Sequence, residues 1–217
     1  DLVLGSSYDL KDDAHTTIVG ERSGDLYGYT LGGGDFNFDG YDDIVSAAAG
    51  EDYDELERVG CIYMLMGTAS LPEGTASVGW AADMQICATV EQQRLGRHAI
   101  PQLIDVDGDL SLDMVVGAPG ADYAGTDASG EVYVFFNDGD LAGTLTTDDA
   151  DVTINGSGAA RAFGYALHSG DFDGDGDLDV FVSNYTNWSS DWMVEVPSAP
   201  IEAAQDALWL NQGDGEF

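Results

Sequence analysis

The amino-acid sequence predicts an all-β fold, a propeller built from four-stranded antiparallel blades, and three observations support this prediction. An acidic nine-residue loop occurs three times, starting at Asp35, Asp105 and Asp171, so that successive copies begin 70 and 66 residues apart. A short run of β-branched or aromatic residues follows each copy at once, and such a run is typical of a strand. Further strand-like runs recur in phase with the loop, at a period typical of propeller blades with long loops.

Each repeat contains four short runs with strand character, in a constant order. The first run precedes an aromatic or apolar residue followed by glycine, and the second lies between that glycine and the acidic loop. The third follows the loop, and the fourth ends the repeat. The first runs cover residues 16–20, 84–90 and 151–155, and the last runs cover 60–65, 130–135 and 207–210.

The order of these runs predicts three blades, over residues 16–67, 68–137 and 138–217, the last with a tryptophan-containing insertion. Residues 1–15 are predicted to hold the closing strand of a preceding blade and a linker, because residues 1–6 are similar to residues 63–68 at the end of the first blade. Propellers typically use 4–8 blades. We therefore expect the three blades to form an open arc and to be part of a seven-bladed ring. The first and last blades of the arc would each expose an apolar face.

The three acidic loops are predicted to be calcium sites. Side-chain oxygens occupy positions 1, 3, 5 and 9 of each loop, and position 7 can supply a backbone carbonyl. Hard oxygen ligands at alternating positions of a tight loop suit Ca²⁺, which takes 6–8 oxygens. The predicted ligands are Asp35, Asn37, Asp39, Tyr41 and Asp43 in the first loop, Asp105, Asp107, Asp109, Ser111 and Asp113 in the second, and Asp171, Asp173, Asp175, Asp177 and Asp179 in the third.

An EF-hand is excluded, because its loop needs a bidentate glutamate at position 12 and helices on both sides. Position 12 is Ser46, Val116 or Val182 here, and strands follow. The loops differ in detail: Leu110 stands where the other two have glycine, so Gly108 is expected to make that turn. Because asparagine replaces one carboxylate in the first loop, we expect a weaker site there than in the third, and the second loop is expected to be the least regular.

The order of an aromatic–glycine pair, a calcium loop and a Gly-Ala-Pro run resembles the FG-GAP repeat of integrin alpha-chain β-propellers and their bacterial or archaeal relatives. Residues 163–164 are Phe-Gly and residues 117–119 are Gly-Ala-Pro, while residues 27–28 and 95–96 are softened versions of the pair. The third repeat, ending in residues 208–217, is similar to the related VCBS-type repeat. The resemblance implies calcium that stabilises the fold and a role in binding.

The composition excludes several kinds of partner. The formal net charge is −35, from 41 acidic against 6 basic residues. Nucleic-acid affinity comes from lysine and arginine neutralising phosphates, so a nucleic-acid partner is excluded. An anionic membrane surface is equally unfavourable, and no apolar run reaches the ~18 residues that a membrane helix needs. Three calcium ions leave most of the charge in place, which predicts a solvated acidic surface.

Two further features have alternative interpretations. Cys61 and Cys87 are the two cysteines, and they are either a disulfide between the first and second blades or two buried thiols, because spacing alone does not settle the geometry. Trp188 and Trp192, in the insertion of the third blade, are candidates for stacking on a sugar or anchoring a protein partner, or they cover the edge of the blade.

The residues hold no motif for catalysis. No nucleophile, metalloprotease or phosphate-loop motif is present, and His98 and His168 are expected to be structural strand residues. We therefore predict an extracellular or cell-surface, calcium-binding propeller that serves in adhesion or protein–protein binding and is not itself an enzyme. The alternatives are a carbohydrate-binding propeller and a non-catalytic propeller region of a larger secreted polysaccharide-degrading enzyme. The expected partners are a protein or glycan ligand, and either the remaining blades or another copy of the chain.

Overall fold

The fold is all-β, as the sequence predicted. The computed structural model describes residues 14–71, 73–122, 125, 128–139, 141–156, 162–172, 178–184 and 207–209. The predicted strand runs within these ranges form strands, most of them three to six residues long. Among the described residues, helical structure amounts to α1 (Val78–Ala81) and one 3₁₀ turn (Thr147–Asp149), and no described helix has the length and apolar character needed to cross a membrane.

The strands form four sheets, a short two-stranded one and three larger ones with a repeating strand order. In chain order they are β1 (Thr16–Val19), β2 (Tyr27–Gly34), β3 (Asp43–Ala48), β4 (Cys61–Leu65), β5 (Gly74–Ser77), β6 (Met84–Cys87), β7 (Gln102–Ile104), β8 (Asp113–Ala118), β9 (Glu131–Phe135), β10 (Gly143–Thr146), β11 (Val152–Asn155), β12 (Ala166–Gly170), β13 (Asp179–Ser183) and β14 (Ala207–Trp209).

Each of the three larger sheets contains an antiparallel blade. The first is β2-β3-β4-β6, the second is β7-β8-β9-β11, and the third has β12, β13 and β14 among the described residues. Short strands also link neighbouring repeats, because β10 pairs parallel with β6 and β5 pairs parallel with β1 in the same relative register. Since β5 and β10 occupy corresponding places in their repeats, the repetition seen in the sequence extends to the contacts between blades.

The sheets group the strands differently from the predicted blade ranges. The run 84–90, predicted to open the second blade, contains β6, which pairs with β4 of the first sheet. The run 151–155, predicted to open the third blade, contains β11, which pairs with β9 of the second. Likewise β1 pairs with β5 and not with β2. The physical reason is that an apolar pattern identifies a strand but not which of two neighbouring edges supplies its hydrogen-bond partner.

Two apolar layers lie between the blades. Val45, Ile62 and Met64 of the first sheet share a buried cluster with Met114 and Val116 of the second. The other face of the second sheet, with Val115, Val132 and Val134, packs against Phe163, Leu167, Val180 and Val182 of the third repeat. Every residue of β8 and β9 is therefore buried. This explains why the residues after the leading Asp113 and Glu131 form runs without polar alternation.

The first sheet is covered less completely on its opposite face. Ile44 corresponds to Met114, since each directly follows the last residue of its acidic loop, yet Ile44 is 45% exposed and Met114 is 0% exposed. A disulfide joins Cys61 of β4 and Cys87 of β6 on this face, beside Tyr63 and Val78. The two cysteines are cross-strand partners within one sheet. The disulfide therefore lies within one blade, and the predicted link between the first and second blades is wrong.

Candidate calcium loops

Each acidic loop is the connection of a hairpin within a blade. The loops run from the end of β2 to the start of β3, from β7 to β8, and from β12 to β13. In every case eight residues separate the two strands, and the last predicted ligand is the first residue of the following strand. Because the strand pairs have equivalent registers, the three loops lie at the same end of their sheets.

The second loop brings three carboxylates together. One oxygen from each of Asp105, Asp107 and Asp109 lies within 4.8 Å of the other two. Two ligands of one calcium ion can be at most about 5 Å apart, since a calcium–oxygen bond is about 2.3–2.6 Å long. The three carboxylates therefore fit a shared calcium ion. Asp113, the fourth predicted carboxylate ligand of this loop, is not a member of the cluster.

Backbone hydrogen bonds hold these carboxylates in place. Asp105 accepts the N–H of Gly108 at 2.8 Å through Oδ1 and the N–H of Leu110 at 3.0 Å through Oδ2. Asp107 accepts from Asp109 N at 3.1 Å, and Asp109 accepts from Ser111 N at 2.6 Å. These side-chain-to-backbone bonds are the Asx turns expected of aspartate in tight loops, and they direct oxygen atoms toward the inside of the loop.

The first loop has the same hydrogen-bond pattern, except that position 5 and not position 4 donates to Oδ1 of the first aspartate. Asp39 N lies 3.0 Å from both Asp35 Oδ1 and Asn37 Oδ1, Gly40 donates to Asp35 Oδ2 at 3.0 Å, and Tyr41 donates to Asp39 Oδ1 at 2.9 Å. The amide of Asn37 also donates to Asp39 Oδ2 at 3.1 Å. In the second loop the corresponding oxygen, Asp109 Oδ2, accepts from the Ser111 hydroxyl at 3.3 Å instead. The weaker affinity expected of the first site stays a prediction.

Positions 4 and 6 of both loops turn the chain through the left-handed region. The φ angles are 55° at Phe38 and 90° at Gly40 in the first loop, and 80° at Gly108 and 76° at Leu110 in the second. Each loop thus places glycine at one of the two positions and a bulky residue at the other, where the left-handed conformation costs about 1–2 kcal/mol. The second loop was expected to be the least regular. It keeps the backbone shape of the first, with its glycine at position 4 instead of position 6.

The aspartate at position 9 has a different role from the others. Asp113 is 1% exposed, and its two carboxylate oxygens accept the N–H of Val106 at 2.7 Å and the N–H of Asn137 at 2.9 Å. Asp43 likewise accepts from Phe36 at 2.8 Å and Gly67 at 2.7 Å. Both aspartates join the start of the loop to the residues that follow the closing strand.

The third loop repeats this feature where it is described. Asp179 is 0% exposed, and Phe172 donates its N–H to Asp179 Oδ2 at 2.8 Å. Asp171 begins the loop, while the predicted ligands Asp173, Asp175 and Asp177 lie outside the described residues, as do Trp188 and Trp192. The sequence did not indicate the roles of Gly67 and Asn137, because they contribute backbone N–H groups from a distant part of the repeat.

Burial and mutual repulsion act on these carboxylates. Burial raises the pKa of Asp107, and the neighbouring carboxylates Asp109 and Asp105 raise it further, against the hydrogen bond from the Asp109 backbone. Burial raises the pKa of Asp113 to about 6, although its two backbone hydrogen bonds favour the charged form. A divalent cation in the loop would relieve both the repulsion and the burial cost, because it favours the ionised state of nearby carboxylates.

Comparison with known proteins identifies the repeats. The family model described as the FG-GAP repeat matches residues 27–60 and 163–187. Integrin alpha-PS2 of Drosophila melanogaster is 32% identical over 86% of this chain and 13% of its own length. Integrin alpha pat-2 of Caenorhabditis briggsae is 28% identical over 88% of the chain and 16% of its own length. Phosphatidylinositol-glycan-specific phospholipase D of Dictyostelium discoideum is 23% identical over 78% of the chain and 19% of its own length.

The chain spans less than a fifth of the length of these relatives. The matched region of the chain is the part that contains the antiparallel sheets and the acidic loops, and the same region matches both the integrin alpha chains and the phospholipases. The predicted resemblance is therefore confirmed: the chain carries FG-GAP repeats and belongs, in fold, to the integrin alpha-chain type of β-propeller.

Proposed function

We propose that this chain is an extracellular, calcium-stabilised propeller region whose role is to bind a protein partner in adhesion. The observation that carries the calcium part of the proposal is the convergence of Asp105, Asp107 and Asp109 on one small volume. Without a cation, three neighbouring carboxylates repel one another. A loop that nevertheless holds them together with five backbone or hydroxyl hydrogen bonds is suited to an ion that the side chains share.

Three sites are proposed, one for each loop. The first loop shares the backbone course and hydrogen-bond pattern of the second, and the third shares the buried position-9 aspartate. In each loop the side chains at positions 1, 3 and 5 and the carbonyl at position 7 would hold the ion. The aspartate at position 9 stands at the edge of the site, where each oxygen keeps a lone pair besides the one used by the backbone N–H.

The role proposed for calcium is structural. Each loop connects two strands of one blade, and the position-9 aspartate connects the loop to the segment after the closing strand. An ion bound at positions 1–7 would therefore restrain the hairpin turn, and the position-9 aspartate joins that turn to a third segment of the same blade. The described loops contain no histidine or cysteine beside these carboxylates that could act as a base or nucleophile, so we assign the ion no catalytic step.

Protein binding is proposed from the integrin-type repeats together with the acidic surface. Two of the similar proteins are named integrin alpha chains, and a surface of charge −35 steers a ligand by its charge. A second candidate has its own support, because phospholipases match the same region. In that case the chain would be a non-catalytic propeller region of a larger secreted enzyme.

The experiment is a calcium titration of the purified chain by calorimetry, with variants in one loop. We expect three ions per chain, and two per chain after Asp109→Ala, because the other two loops stay intact. Ser111→Ala is the matched control, since it keeps the backbone carbonyl predicted to bind the ion and removes only the long 3.3 Å hydroxyl hydrogen bond to Asp109, so three ions should still bind. Binding of fewer ions in the parent chain would contradict the proposal, and phosphatidylinositol-glycan hydrolysis by this chain alone would contradict its non-catalytic role.

A further inference from the structure

Three arginines of a strongly acidic chain gather at one place, next to a row of aromatic rings. The chain has 6 lysine and arginine residues against 41 acidic residues. Half of these bases, Arg58, Arg94 and Arg97, lie together in the first and second repeats. The residues around Arg94 cross the segment after Arg58: Arg94 N donates to Arg58 O at 3.3 Å, Leu95 N donates to Val59 O at 2.9 Å, and Arg97 N donates to Arg94 O at 3.0 Å.

The positive charges of this arginine cluster repel one another, and one of its N–H donors lacks an acceptor within the described part of the chain. Burial lowers the pKa of Arg94, and the charges of Arg97 and Arg58 lower it further. Burial likewise lowers the pKa of His98, with added repulsion from Arg97 and Arg94. The Nε atom of Arg97 is buried and makes no hydrogen bond within the described part of the chain. A buried guanidinium N–H without an acceptor is costly, and the repulsion among the three positive charges favours an anionic partner beside them.

An aromatic row across three repeats borders the cluster. Tyr29 directly follows the glycine of the first repeat, Tyr165 directly follows that of the third, and His98 lies between their rings. The His98 and Tyr165 rings are stacked with centroids 4.2 Å apart, and His98 and Tyr29 meet edge to face at 5.4 Å. The Tyr29 hydroxyl lies 3.3 Å from His98 Nδ1. His98 was expected in a strand, but it lies in a turn with a φ of 71°.

Two hydrogen bonds hold the turn around Gly96, which carries Arg97 and His98, against the neighbouring strands. Thr30 Oγ1 donates to Gly96 O at 3.0 Å, and Gly96 N donates to Gly117 O at 2.8 Å. A side chain at Gly96 would collide with Ile62 and Ala47, so the glycine lets the turn approach the first sheet closely. The turn thus sits on rigid strands, while Arg58 and Tyr29 are exposed at its rim.

We propose that the arginine cluster and the aromatic row bind a single carboxylate side chain of a protein partner. A guanidinium group presents paired N–H donors that match a carboxylate, and aromatic faces cover the aliphatic part of such a side chain. The proposal rests on the protein-binding function above and names the chemistry of the partner. The rest of the partner surface must be neutral or basic, because the overall charge of −35 repels an acidic one.

The test uses the calcium-saturated chain and a short blocked peptide with one glutamate between two lysines. The control peptide carries glutamine instead of the glutamate. Non-specific attraction to an acidic protein favours the control peptide, which has the larger positive charge, so tighter binding of the glutamate peptide reports a local anion site. We expect Arg97→Gln to weaken the glutamate peptide about tenfold or more, since a charge-assisted hydrogen bond is lost.

Arg22→Gln is the matched control, because it makes the same change in net charge away from the cluster and should leave binding within about twofold. Arg97→Lys keeps the charge but not the paired donors, so it should also weaken binding. Equal binding of the two peptides, or equal effects of the Arg97 and Arg22 variants, would overturn the proposal. So would binding of a galacturonic acid oligosaccharide in place of the peptide, which would indicate a glycan ligand. Calcium binding is also measured for the parent chain and for every variant. If the parent chain binds no calcium, that result refutes the proposed function and not the carboxylate site.

Discussion

Replacing the buried aspartate of the second loop should destabilise the protein even without calcium. Asp113 is 1% exposed and accepts two backbone N–H groups, from Val106 and Asn137. Asp113→Ala leaves both donors without an acceptor. Each hydrogen bond to a charged group contributes about 1.5–3 kcal/mol, so the two together contribute about 3–6 kcal/mol.

The burial cost of the carboxylate offsets part of this sum. The pKa of Asp113 is raised from 3.8 to about 6, and because one pKa unit corresponds to about 1.4 kcal/mol, the offset near neutral pH is about 3 kcal/mol at most. Taking the middle of the hydrogen-bond range, we therefore expect Asp113→Ala to lower the free energy of unfolding by at least about 1.5 kcal/mol in excess chelator, measured by urea denaturation. This would be a large fraction of the stability of a typical domain.

Asp109→Ala provides the contrast within the same loop. Asp109 is exposed, so water can replace its hydrogen bonds, and the variant should cost less than about 1 kcal/mol in chelator. With calcium bound, Asp109→Ala should become the more destabilising of the two variants, because Asp109 belongs to the carboxylate cluster and Asp113 does not. If Asp113→Ala lost less than about 1 kcal/mol in chelator, or no more than Asp109→Ala, the role assigned to the position-9 aspartate would be wrong.

Three further changes test other features of the structure. Leu110→Gly should stabilise the chain by about 0.5 kcal/mol, because relief of the left-handed backbone slightly exceeds the entropy cost of glycine. In the parent chain, ionisation of Glu51 should lower the free energy of unfolding by about 1–2 kcal/mol, a value reduced for solvent screening, as the pH rises from about 4.5 to about 7. Glu51→Gln should abolish this pH dependence. Cys61→Ala with Cys87→Ala should cost about 3–4 kcal/mol, since the disulfide closes a loop of 26 residues.

The sign of the Glu51 effect follows from its environment. Burial raises the pKa of Glu51 from 4.5 to about 7, the Tyr63 hydroxyl that donates to it at 2.6 Å favours the charged form, and Asp25 disfavours it. Protonation is thus easier in the folded protein, so the stabilising contribution is complete below about pH 4.5 and lost as the pH rises through about 7. Urea denaturation of both proteins across this range measures it, and parallel pH curves would contradict it.

The other two predictions have their own controls. Gly40→Ala is the reciprocal of Leu110→Gly at the same loop position and should destabilise by about 1 kcal/mol. A loss of stability in Leu110→Gly would show that the left-handed turn is not strained. For the disulfide, the comparison is the parent chain with and without a reducing agent, and equal melting temperatures would contradict the assigned contribution.

The repeat pattern predicted much of the fold, because each element has a local signature. Alternating acids followed by Val180 or Ile44 mark a loop and the strand after it, and both strands are present. The partner of a strand has no such signature, which is why the run containing β6 was assigned to the wrong blade. The turn through Gly108 was predicted from the sequence, but the left-handed conformation of Leu110 was not, because leucine rarely adopts it.

The candidate sites were predictable to different degrees. Position 9 of each loop was recognised as acidic, but its burial depends on strands far away in sequence, including the N–H of Asn137. The arginine cluster was not recognised at all, because Arg58 and Arg94 are separated in sequence and meet only when the second repeat crosses the first. Contacts between residues distant in sequence decide both features: the N–H of Asn137 comes from a later part of the same repeat, and the arginines meet across two repeats.

Calcium removal is the most direct test of the central proposal that three ions stabilise this propeller region. If each site is filled at about ten times its dissociation constant, the three together contribute about 4 kcal/mol. For a chain of this size that corresponds to a melting temperature about 10 °C lower in excess chelator. Elemental analysis should find calcium in the untreated protein, and added calcium should restore the melting curve. An unchanged melting curve in chelator, with no metal found in the purified protein, would contradict the account.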